Sequence, residues 1–260
     1  MMRVDVLRGD QLMPCTRAEI ARFRHRVFIE KLGWQVNASS SCPTPNEGEE
    51  TDEYDHDETI YITIRGTQDA IVGCARLLPA KNRYLLGDHF RHLVDDLPAA
   101  THVAAASHAS PAMMDNGEFT TPVWELSRFA WDRPESEVMP GGGGDGKQGA
   151  RELLRAAVFT AQALGAHRLI GVTFVSLARL FVQLGVPTQK LGAAYRIDGR
   201  WVAAYRIDID RVTLGALGLL GVMPAAADPV ASTSPWRMSG DVSDVIPPAK
   251  TLTQLYASAT

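Results

Sequence analysis

Residues 140–175 read PGGGGDGKQGARELLRAAVFTAQALGAHRLIGVTFV, and this stretch decides the fold. Its glycine-rich start, 140–149, precedes an amphipathic helix over residues 150–164, whose apolar side chains recur at helical spacing. Gly165 ends that helix, and the apolar run 168–175 predicts a buried strand. A helix that leads directly into a buried strand predicts an α/β domain.

The upstream segments extend this pattern. Residues 17–32 predict a helix, with Thr16 as its N-cap and Glu19 at the reciprocal capping-box position. Residues 59–65 and 70–77 are rich in β-formers and are joined by a short polar segment. We therefore expect a helix followed by a β-hairpin.

Further segments complete the series. Residues 122–131 predict a strand, and residues 176–184 predict a short helix capped by Ser176. Within 195–205, Asp198-Gly199 separates two alternating runs and predicts a tight hairpin. The whole order predicts one domain of the α/β class, with a mixed, mostly antiparallel sheet flanked by helices.

The same order of elements is that of the acetyltransferase-like (GNAT-like) sandwich, which the chain resembles in this respect. We expect the domain to span residues 1–210, with loop insertions near 37–48, 98–121 and 133–149. Residues 211–260 predict a C-terminal extension that is partly disordered, because it is rich in Ala, Ser and Pro. The glycine tract could bind the pyrophosphate of coenzyme A at a helix N-terminus, and a plain flexible loop is an equal alternative.

Composition narrows the class of protein. The chain has 260 residues, a formal net charge of −4 and three cysteines without a Cys-x-x-Cys pair. The charge argues against nucleic-acid binding, and the cysteines argue against a disulfide framework. Residues 1–10 lack a signal-peptide core, and the apolar run 212–223 is too short to span a bilayer. We expect a cytoplasmic protein without membrane insertion.

The segment Trp124-Glu125-Leu126-Ser127-Arg128 places a carboxylate in an apolar strand. Strand alternation puts Glu125 and Ser127 on one face, and Trp124, Leu126 and Arg128 on the other. Burial would raise the pKa of Glu125 and suit it to accept a proton. An ion pair that merely holds the sheet together is the alternative.

Two further groups of residues have both a functional and a structural interpretation. The acidic residues between Glu47 and Glu58 could attract a cationic substrate, although such runs are usually solvated. Arg24 and Phe28 share a helix face near Trp34, and aromatic residues at this spacing usually pack in a core.

Four segments taken together resemble a known family. They are Arg24-His25-Arg26-Val27-Phe28 with Leu32-Gly33-Trp34, then Glu50-Thr51-Asp52-Glu53-Tyr54-Asp55, then Cys74-Ala75-Arg76-Leu77-Leu78-Pro79, then Trp124 to Phe129. In this order they resemble the acyl-homoserine lactone synthases, the autoinducer synthases of bacterial quorum sensing. The resemblance spans about residues 24–185 and is densest over 24–129.

The resemblance implies a reaction and its residues. A family member transfers an acyl group from an acylated acyl carrier protein to S-adenosylmethionine, closes the lactone and releases methylthioadenosine. S-adenosylmethionine is then a substrate, and neither a cofactor nor a metal is expected. By matching positions, Glu125 is the general base and Arg128 organises the site. The implied S-adenosylmethionine contacts are Arg24, Phe28, Trp34, Asp52, Asp55, Arg76 and Phe90.

The acyl chain and its carrier need their own surfaces. An apolar channel between the sheet and the later helices is expected, although its residues would serve equally as core. An acidic carrier protein would need a basic patch on this mildly acidic chain, and a solvated helix flank is the alternative. The acyl-pocket candidates are Leu126, Phe129, Val172, Thr173 and Phe174, with Phe181 and Leu184; the docking candidates are Lys147, Arg151, Arg155, Arg179 and Lys190.

Two rival functions remain open from the sequence. One is an acyl-coenzyme A-dependent N-acyltransferase of the acetyltransferase-like fold, which would not require S-adenosylmethionine. The other is a non-catalytic protein that binds S-adenosylmethionine or an acyl chain. The choice between carrier protein and coenzyme A as donor, and the length and oxidation of the acyl chain, are not predicted.

Overall fold

The computed structural model describes residues 2–34, 48–81, 83–90, 92–95, 123–132, 145–197 and 199–222. Most of the three predicted insertions and residues 223–260 lie outside these ranges, so the proposed division at residue 210 stays a prediction. The strands are β1 (Arg3–Arg8), β2 (Ile60–Arg65), β3 (Ile71–Pro79), β4 (Val123–Trp131), β5 (Arg168–Phe174), β6 (Gln189–Lys190), β7 (Tyr195–Ile197) and β8 (Arg200–Asp208). The α-helices are α1 (Pro14–Arg24), α2 (Leu85–His89), α3 (His92–Asp95), α4 (Asp145–Ala163), α5 (Val175–Gln183) and α6 (Arg211–Ala216), with a π-helix at His25–Lys31.

All described strands belong to one sheet with the order β1-β2-β3-β4-β5-β8-β6, in which β7 also pairs with β8. Only β4 and β5 run parallel, and the long helix α4 connects them. The other pairs are antiparallel. The predicted fold class, a mixed and mostly antiparallel sheet flanked by helices, is confirmed.

Helices cover both faces of the sheet. The apolar face of α4, which includes Leu153, Leu154 and Val158, packs on one face with Phe181 of α5 and Leu217 after α6. The predicted amphipathic helix is therefore confirmed. The opposite face carries one cluster under α1 and the π-helix, and another under α2 and α3. These layers bury the sheet around β4 and β5, where the site lies.

Several predicted element ends are wrong. Helix α1 begins at Pro14 after Met13, because proline lacks the N–H that a cap would have to bind, so Thr16 is not the N-cap. Glu19 instead binds Arg65, with 2.6 Å between Oε2 and Nη2. Helix α5 begins at Val175, so Ser176 is inside it and does not cap it.

Other differences concern the glycine tract and the sheet edges. Helix α4 begins at Asp145, inside the segment that was predicted to be a loop. The edge strands β1 and β6 were not predicted: β1 is mostly half-buried, so its apolar residues give a weak signal, and β6 consists of two exposed residues. The hairpin of β7 and β8 is confirmed, with Ile197 opposite Arg200 and Gly199 at a φ of +76° in the turn.

Candidate active site

A cavity of about 470 Å³ opens where β4 and β5 diverge. The two strands pair only from Val123 to Glu125, and their register ends at Glu125 opposite Ile170. Next in β5 is Gly171, where a Cβ atom would come within 2.4 Å of the Leu126 carbonyl oxygen. Glycine therefore permits the close approach after which the strands separate.

The cavity runs through the sheet. Its wall includes Leu169 and Phe181 from the core cluster under α4. It also includes Phe174 and Phe90 from the cluster on the opposite face. Strand alternation explains this, because odd and even residues of β5 face opposite sides of the sheet and both border the gap.

Most of the predicted substrate residues line this one cavity. Leu184 packs against the core cluster under α4 and is outside the wall, whereas its neighbour Phe181 belongs to the wall. Arg24, Asp52, Asp55 and Arg76 lie behind the wall. The predicted residues in the wall are Phe28, Trp34, Phe90, Leu126, Arg128, Phe129, Val172, Thr173 and Phe174.

Aromatic rings surround the Arg128 guanidinium at one end of the cavity. The rings of Phe28 and Trp34 are 4.9 Å apart, and the guanidinium carbon of Arg128 lies 5.6 Å and 5.7 Å from their centroids. Trp34 also meets Phe174 edge-on at 5.7 Å. The structure therefore joins the predicted S-adenosylmethionine residues to the predicted acyl pocket.

Behind this wall lies a charge cluster, by which we mean Arg24, Arg76 and Arg128 with Glu50, Asp52 and Asp55. Arg76 forms the centre: its Nη1 is 2.5 Å from Asp52 Oδ1 and 2.9 Å from Asp55 Oδ1. Its Nε donates to Ser127 Oγ at 3.0 Å. Arg24 binds Asp55 through Nη1 at 2.7 Å.

Glu50 completes the cluster and was missed by the sequence interpretation, which took the acids around Asp52 and Asp55 as solvated. Its side chain is 2% exposed. It binds Arg24 Nε, and its Oε1 accepts from Arg128 Nη2 at 2.8 Å. Three guanidinium groups thus face three carboxylates. The acids neutralise arginines and do not present a free negative field to a substrate.

The pKa values of these carboxyl groups reflect the arginines. Burial alone would raise the pKa of Glu50, but Arg24 and Arg128 outweigh it and lower that pKa to about 2. Burial alone would likewise raise the pKa of Asp52 and of Asp55, but the neighbouring arginines outweigh it, and both pKa values are lowered. All three carboxyl groups are therefore ionised at neutral pH.

A β-bulge directs Arg128 into the cluster and corrects the predicted strand alternation. Between Cys74 and Arg76 of β3 the register to β4 shifts, and Arg128 has a φ of +49°. Its Nη2 consequently reaches Asp52 Oδ2 at 2.7 Å, beside the Ser127–Arg76 contact. The predicted opposition of Ser127 and Arg128 on different faces is wrong, because the bulge interrupts the two-residue period.

Glu125 is fully buried at the end of the parallel pairing. Its Oε2 accepts from the Leu85 N–H at 2.8 Å and its Oε1 from the Leu86 N–H at 2.9 Å. Burial raises its pKa to about 7, against the lowering effect of the two N–H groups, Arg76 and Arg128. Among the described residues, the first turn of α2 and not an arginine provides the hydrogen-bond partners of Glu125. Its pKa suits a proton acceptor at neutral pH.

The predicted docking residues are only partly on the surface. Lys147, Arg179 and Lys190 are exposed and Arg151 is half-buried. Arg155 is a correction: it is 5% exposed, and its Nε donates to the Leu217 carbonyl oxygen at 3.1 Å. It holds the segment after α6 against α4 and is inaccessible to a partner.

Two polar side chains near the cluster were also not predicted. The Tyr61 hydroxyl donates to Asp55 Oδ1 at 2.8 Å, and Ser127 both lines the cavity and binds Arg76. Within the described ranges, no group of three or more His, Cys, Asp or Glu side chains could hold a metal ion. No helix in that part of the chain is long and apolar enough to cross a membrane.

Comparisons with known proteins agree on the family. The autoinducer synthase family model matches residues 11–217. An acyl-homoserine-lactone synthase of Ralstonia nicotianae is 39% identical over 221 residues, which cover 84% of this chain and 96% of that protein. The crystal structure of TofI in a ternary complex with an inhibitor and MTA is 38% identical, with a TM-score of 0.63 over 84% of this chain and 97% of its own. BjaI, a CoA-dependent acyl-homoserine lactone synthase solved with SAM and isopentyl-CoA, is 21% identical, with a TM-score of 0.61 over 87% of this chain and 92% of its own, and shares the fold. The chain therefore belongs to the autoinducer synthase family, whose relatives are acyl-homoserine-lactone synthases, and it is an acyltransferase.

Proposed function

We propose that this synthase makes an N-acyl-L-homoserine lactone from S-adenosylmethionine and an acylated acyl carrier protein. The amine of S-adenosylmethionine attacks the thioester, and its carboxylate then displaces the thioether, which releases methylthioadenosine and the free carrier. One observation supports this proposal best: a single cavity has Arg128 and aromatic rings at one end and is lined elsewhere by apolar side chains of β4 and β5. TofI, which is 38% identical, forms a complex with MTA, the by-product expected of this reaction.

S-adenosylmethionine would bind at the aromatic end. Its sulfonium favours the faces of Phe28 and Trp34, and its carboxylate favours the guanidinium of Arg128. Arg128 is fixed by Glu50 and Asp52, so it meets the substrate without first being ordered. Arg24, Arg76 and Asp55 would act by holding this arrangement, and Phe90 would close the wall.

Glu125 would take the proton from the substrate ammonium. Its carboxylate lies behind Leu85 and Leu126, which line the cavity, so the proton would pass through a water molecule. Each carboxylate oxygen accepts one N–H bond and keeps a lone pair for that purpose. A pKa of about 7 leaves Glu125 largely ionised above neutral pH and ready to act.

The acyl chain would lie in the half of the cavity under α4. Leu126, Phe129 and Phe181 provide apolar surface there, and the rings of Phe129 and Phe181 are 5.1 Å apart. Val172, Thr173 and Phe174 of β5 line the cavity between this half and the aromatic end, and Phe174 itself contacts Trp34. This arrangement keeps the thioester carbonyl between the apolar half and the Arg128 end, where the amine would be held.

The carrier protein would dock on Lys147, Arg151, Arg179 and Lys190 without Arg155. Lys190 is opposite Tyr205 across β6 and β8, and Tyr205 lines the cavity, so positive charge lies close to the passage. Such charge would attract an acidic carrier. We place the reaction in the cytoplasm, where carrier proteins receive their acyl groups. The proposed reaction needs no cofactor or metal.

Expression in a host without lactones of its own tests the proposal. Mass spectrometry of culture extract should find acyl-homoserine lactones only with the gene, and Glu125→Gln should lower their rate of formation by about a hundredfold or more while remaining soluble. Purified protein is then supplied with S-adenosylmethionine and a panel of carrier-protein and coenzyme A thioesters. Turnover with carrier thioesters supports the donor assignment, turnover only with coenzyme A thioesters refutes it, and no lactone with any donor refutes the function.

A further inference from the structure

Helix α2 forms part of the cavity wall and is fixed from its N-terminal end. Leu85 and the C-cap residue Phe90 both line the cavity. Glu125 binds the first turn through the Leu85 and Leu86 N–H groups, at 2.8 Å and 2.9 Å. The place of α2 therefore sets both a wall of the cavity and the surroundings of the Glu125 carboxylate.

Tyr54 fixes α2 from the other side. Its hydroxyl donates to Asp88 Oδ2 at 3.0 Å, and its ring meets that of His89 edge-on at 6.1 Å. Tyr54 is only 2% exposed and the Asp88 side chain is 28% exposed, so water reaches this hydrogen bond from the Asp88 side alone. Burial and the neighbouring Asp88 carboxylate raise the pKa of Tyr54, so the hydroxyl keeps its proton and remains a donor.

Tyr54 also contacts the charge cluster. Its N–H donates to Asp52 Oδ1 at 3.0 Å, and the Arg76 guanidinium carbon lies 5.8 Å from its ring centroid. A single residue thus touches the cluster through its backbone and ring, and α2 through its hydroxyl. Further ties between residues 52–55 and α2 run through Arg83, which is 69% exposed and contacts Glu53 and Asp88, and through the His89–Glu53 contact at 3.1 Å. Exposed pairs of this kind contribute little.

We propose that Tyr54 is a positioning residue that couples the charge cluster to α2, and that its hydroxyl keeps α2 against Glu125. Without the hydroxyl, the Leu85 and Leu86 N–H groups would be held less firmly against the Glu125 carboxylate. Glu125 is 0% exposed and lies far from Tyr54 in the sequence, so this effect would reach it through α2. Tyr54 would then act on substrate through α2 and Glu125, and its catalytic consequence rests on the proposed function.

Hydrogen–deuterium exchange tests the coupling without any assay of activity. Tyr54→Phe keeps the ring and removes the hydroxyl, and Tyr61→Phe is the matched control, since the buried Tyr61 hydroxyl binds Asp55 and not α2. A peptide covering residues 84–90 should exchange about tenfold faster in Tyr54→Phe and at the wild-type rate in Tyr61→Phe. Equal exchange in Tyr54→Phe and wild type overturns the proposal. If Tyr54→Phe unfolds as a whole, Asp88→Asn, which removes the acceptor charge from α2, should give the same local increase.

The pH dependence of kcat/KM distinguishes a positioning role of Tyr54 from a merely structural role, which would leave the pH profile unchanged. Glu125 is faced by the two N–H groups of α2, by Arg76 of β3 and by Arg128 of β4. The charged and titratable groups that face Tyr54 are Asp88, Glu53, His89, Arg83 and Arg76. The N–H groups favour the ionised carboxylate, so their loosening in Tyr54→Phe should move the acid limb of kcat/KM upward by about half a pH unit. Tyr61→Phe should leave that limb in place.

A double-mutant cycle with Asp88→Ala, which removes the acceptor oxygens, completes the test. If the two residues act through one hydrogen bond, the double variant should shift the acid limb no further than Asp88→Ala alone. Additive shifts would overturn the coupling. A wild-type protein inactive with every donor would refute the proposed function instead, and the exchange result would still decide the role of Tyr54.

Discussion

Glu50 offers the sharpest test of the charge cluster, because nothing in its local sequence distinguishes it from the acids around it. Replacing it with Gln keeps the volume and removes the charge, so Arg24 and Arg128 lose a shared partner inside the protein. The cluster then holds three arginines against two carboxylates. We expect Glu50→Gln to destabilise the fold strongly.

Two arguments give the magnitude. Removing one partner of a buried ion pair costs about 3–5 kcal/mol. Independently, the fall in the pKa of Glu50 from 4.5 to about 2 corresponds to about 3 kcal/mol of stabilisation at neutral pH. For a domain of this size, about 3 kcal/mol corresponds to a loss of about 6–12 °C in Tm.

Thermal unfolding followed by circular dichroism at pH 7 measures the loss. Glu19→Gln is the matched control, because Glu19 also binds an arginine at 2.6 Å but is 45% exposed, and it should cost under about 1 kcal/mol. The Glu50 contribution is present above pH 4.5 and is lost as pH falls toward about 2, so the gap between wild type and Glu50→Gln should narrow there. A loss of stability at pH 7 no larger than that of Glu19→Gln would show that Glu50 does not stabilise the charge cluster.

Three other predictions follow from the site and its surroundings. Glu125→Gln should lower kcat by about 10² to 10⁴. Wild-type kcat/KM should fall as pH drops below about 7, where Glu125 gains a proton, and a steady-state pH series that is flat between pH 6 and 8 would contradict the role of Glu125 as the base. Arg151→Glu should raise the KM for acyl-carrier protein in a salt-dependent way. Arg155→Ala should leave that KM unchanged and lower stability by about 1–3 kcal/mol, because the Arg155 Nε binds the Leu217 carbonyl. A raised KM in Arg155→Ala together with an unchanged KM in Arg151→Glu would disprove the assignment. Gly149→Ala should lower Tm, because its Cβ would come within 2.0 Å of the Trp131 indole, whereas Gly146→Ala in the same helix meets nothing within 4 Å and should be neutral or stabilising by calorimetry.

The parts of the fold that sequence predicted are those with a local signal. Helix α4 could be predicted from the spacing of its apolar residues, because such a stripe must be buried on a sheet. Glu125 could be singled out because a carboxylate in an apolar strand needs an explanation. The spacing of Phe28 and Trp34 favoured core packing and an ion pair was the alternative for the Glu125–Arg128 segment, so only the family resemblance favoured a site for these residues. The structure brings these three together at the cavity.

What sequence did not predict depends on partners distant in the chain. Glu50 differs from its acidic neighbours only because Arg24 and Arg128, 26 and 78 residues away, bind it. Arg155 follows Arg151 at the four-residue spacing that predicted a docking surface. Its guanidinium is nevertheless buried, because it donates to the Leu217 carbonyl, which is 62 residues further along the chain. The direction of Arg128 follows from a bulge, which has no signature in the residue types around it.

The central claim is that this chain couples acyl transfer to lactone closure. The most direct measurement incubates purified protein with S-adenosylmethionine and acyl-carrier protein and quantifies both products by mass spectrometry. We predict acyl-homoserine lactone and methylthioadenosine in equal amounts, with both formed about 10² to 10⁴ times more slowly by Glu125→Gln. An acylated amine without methylthioadenosine, or methylthioadenosine without lactone, would contradict the account.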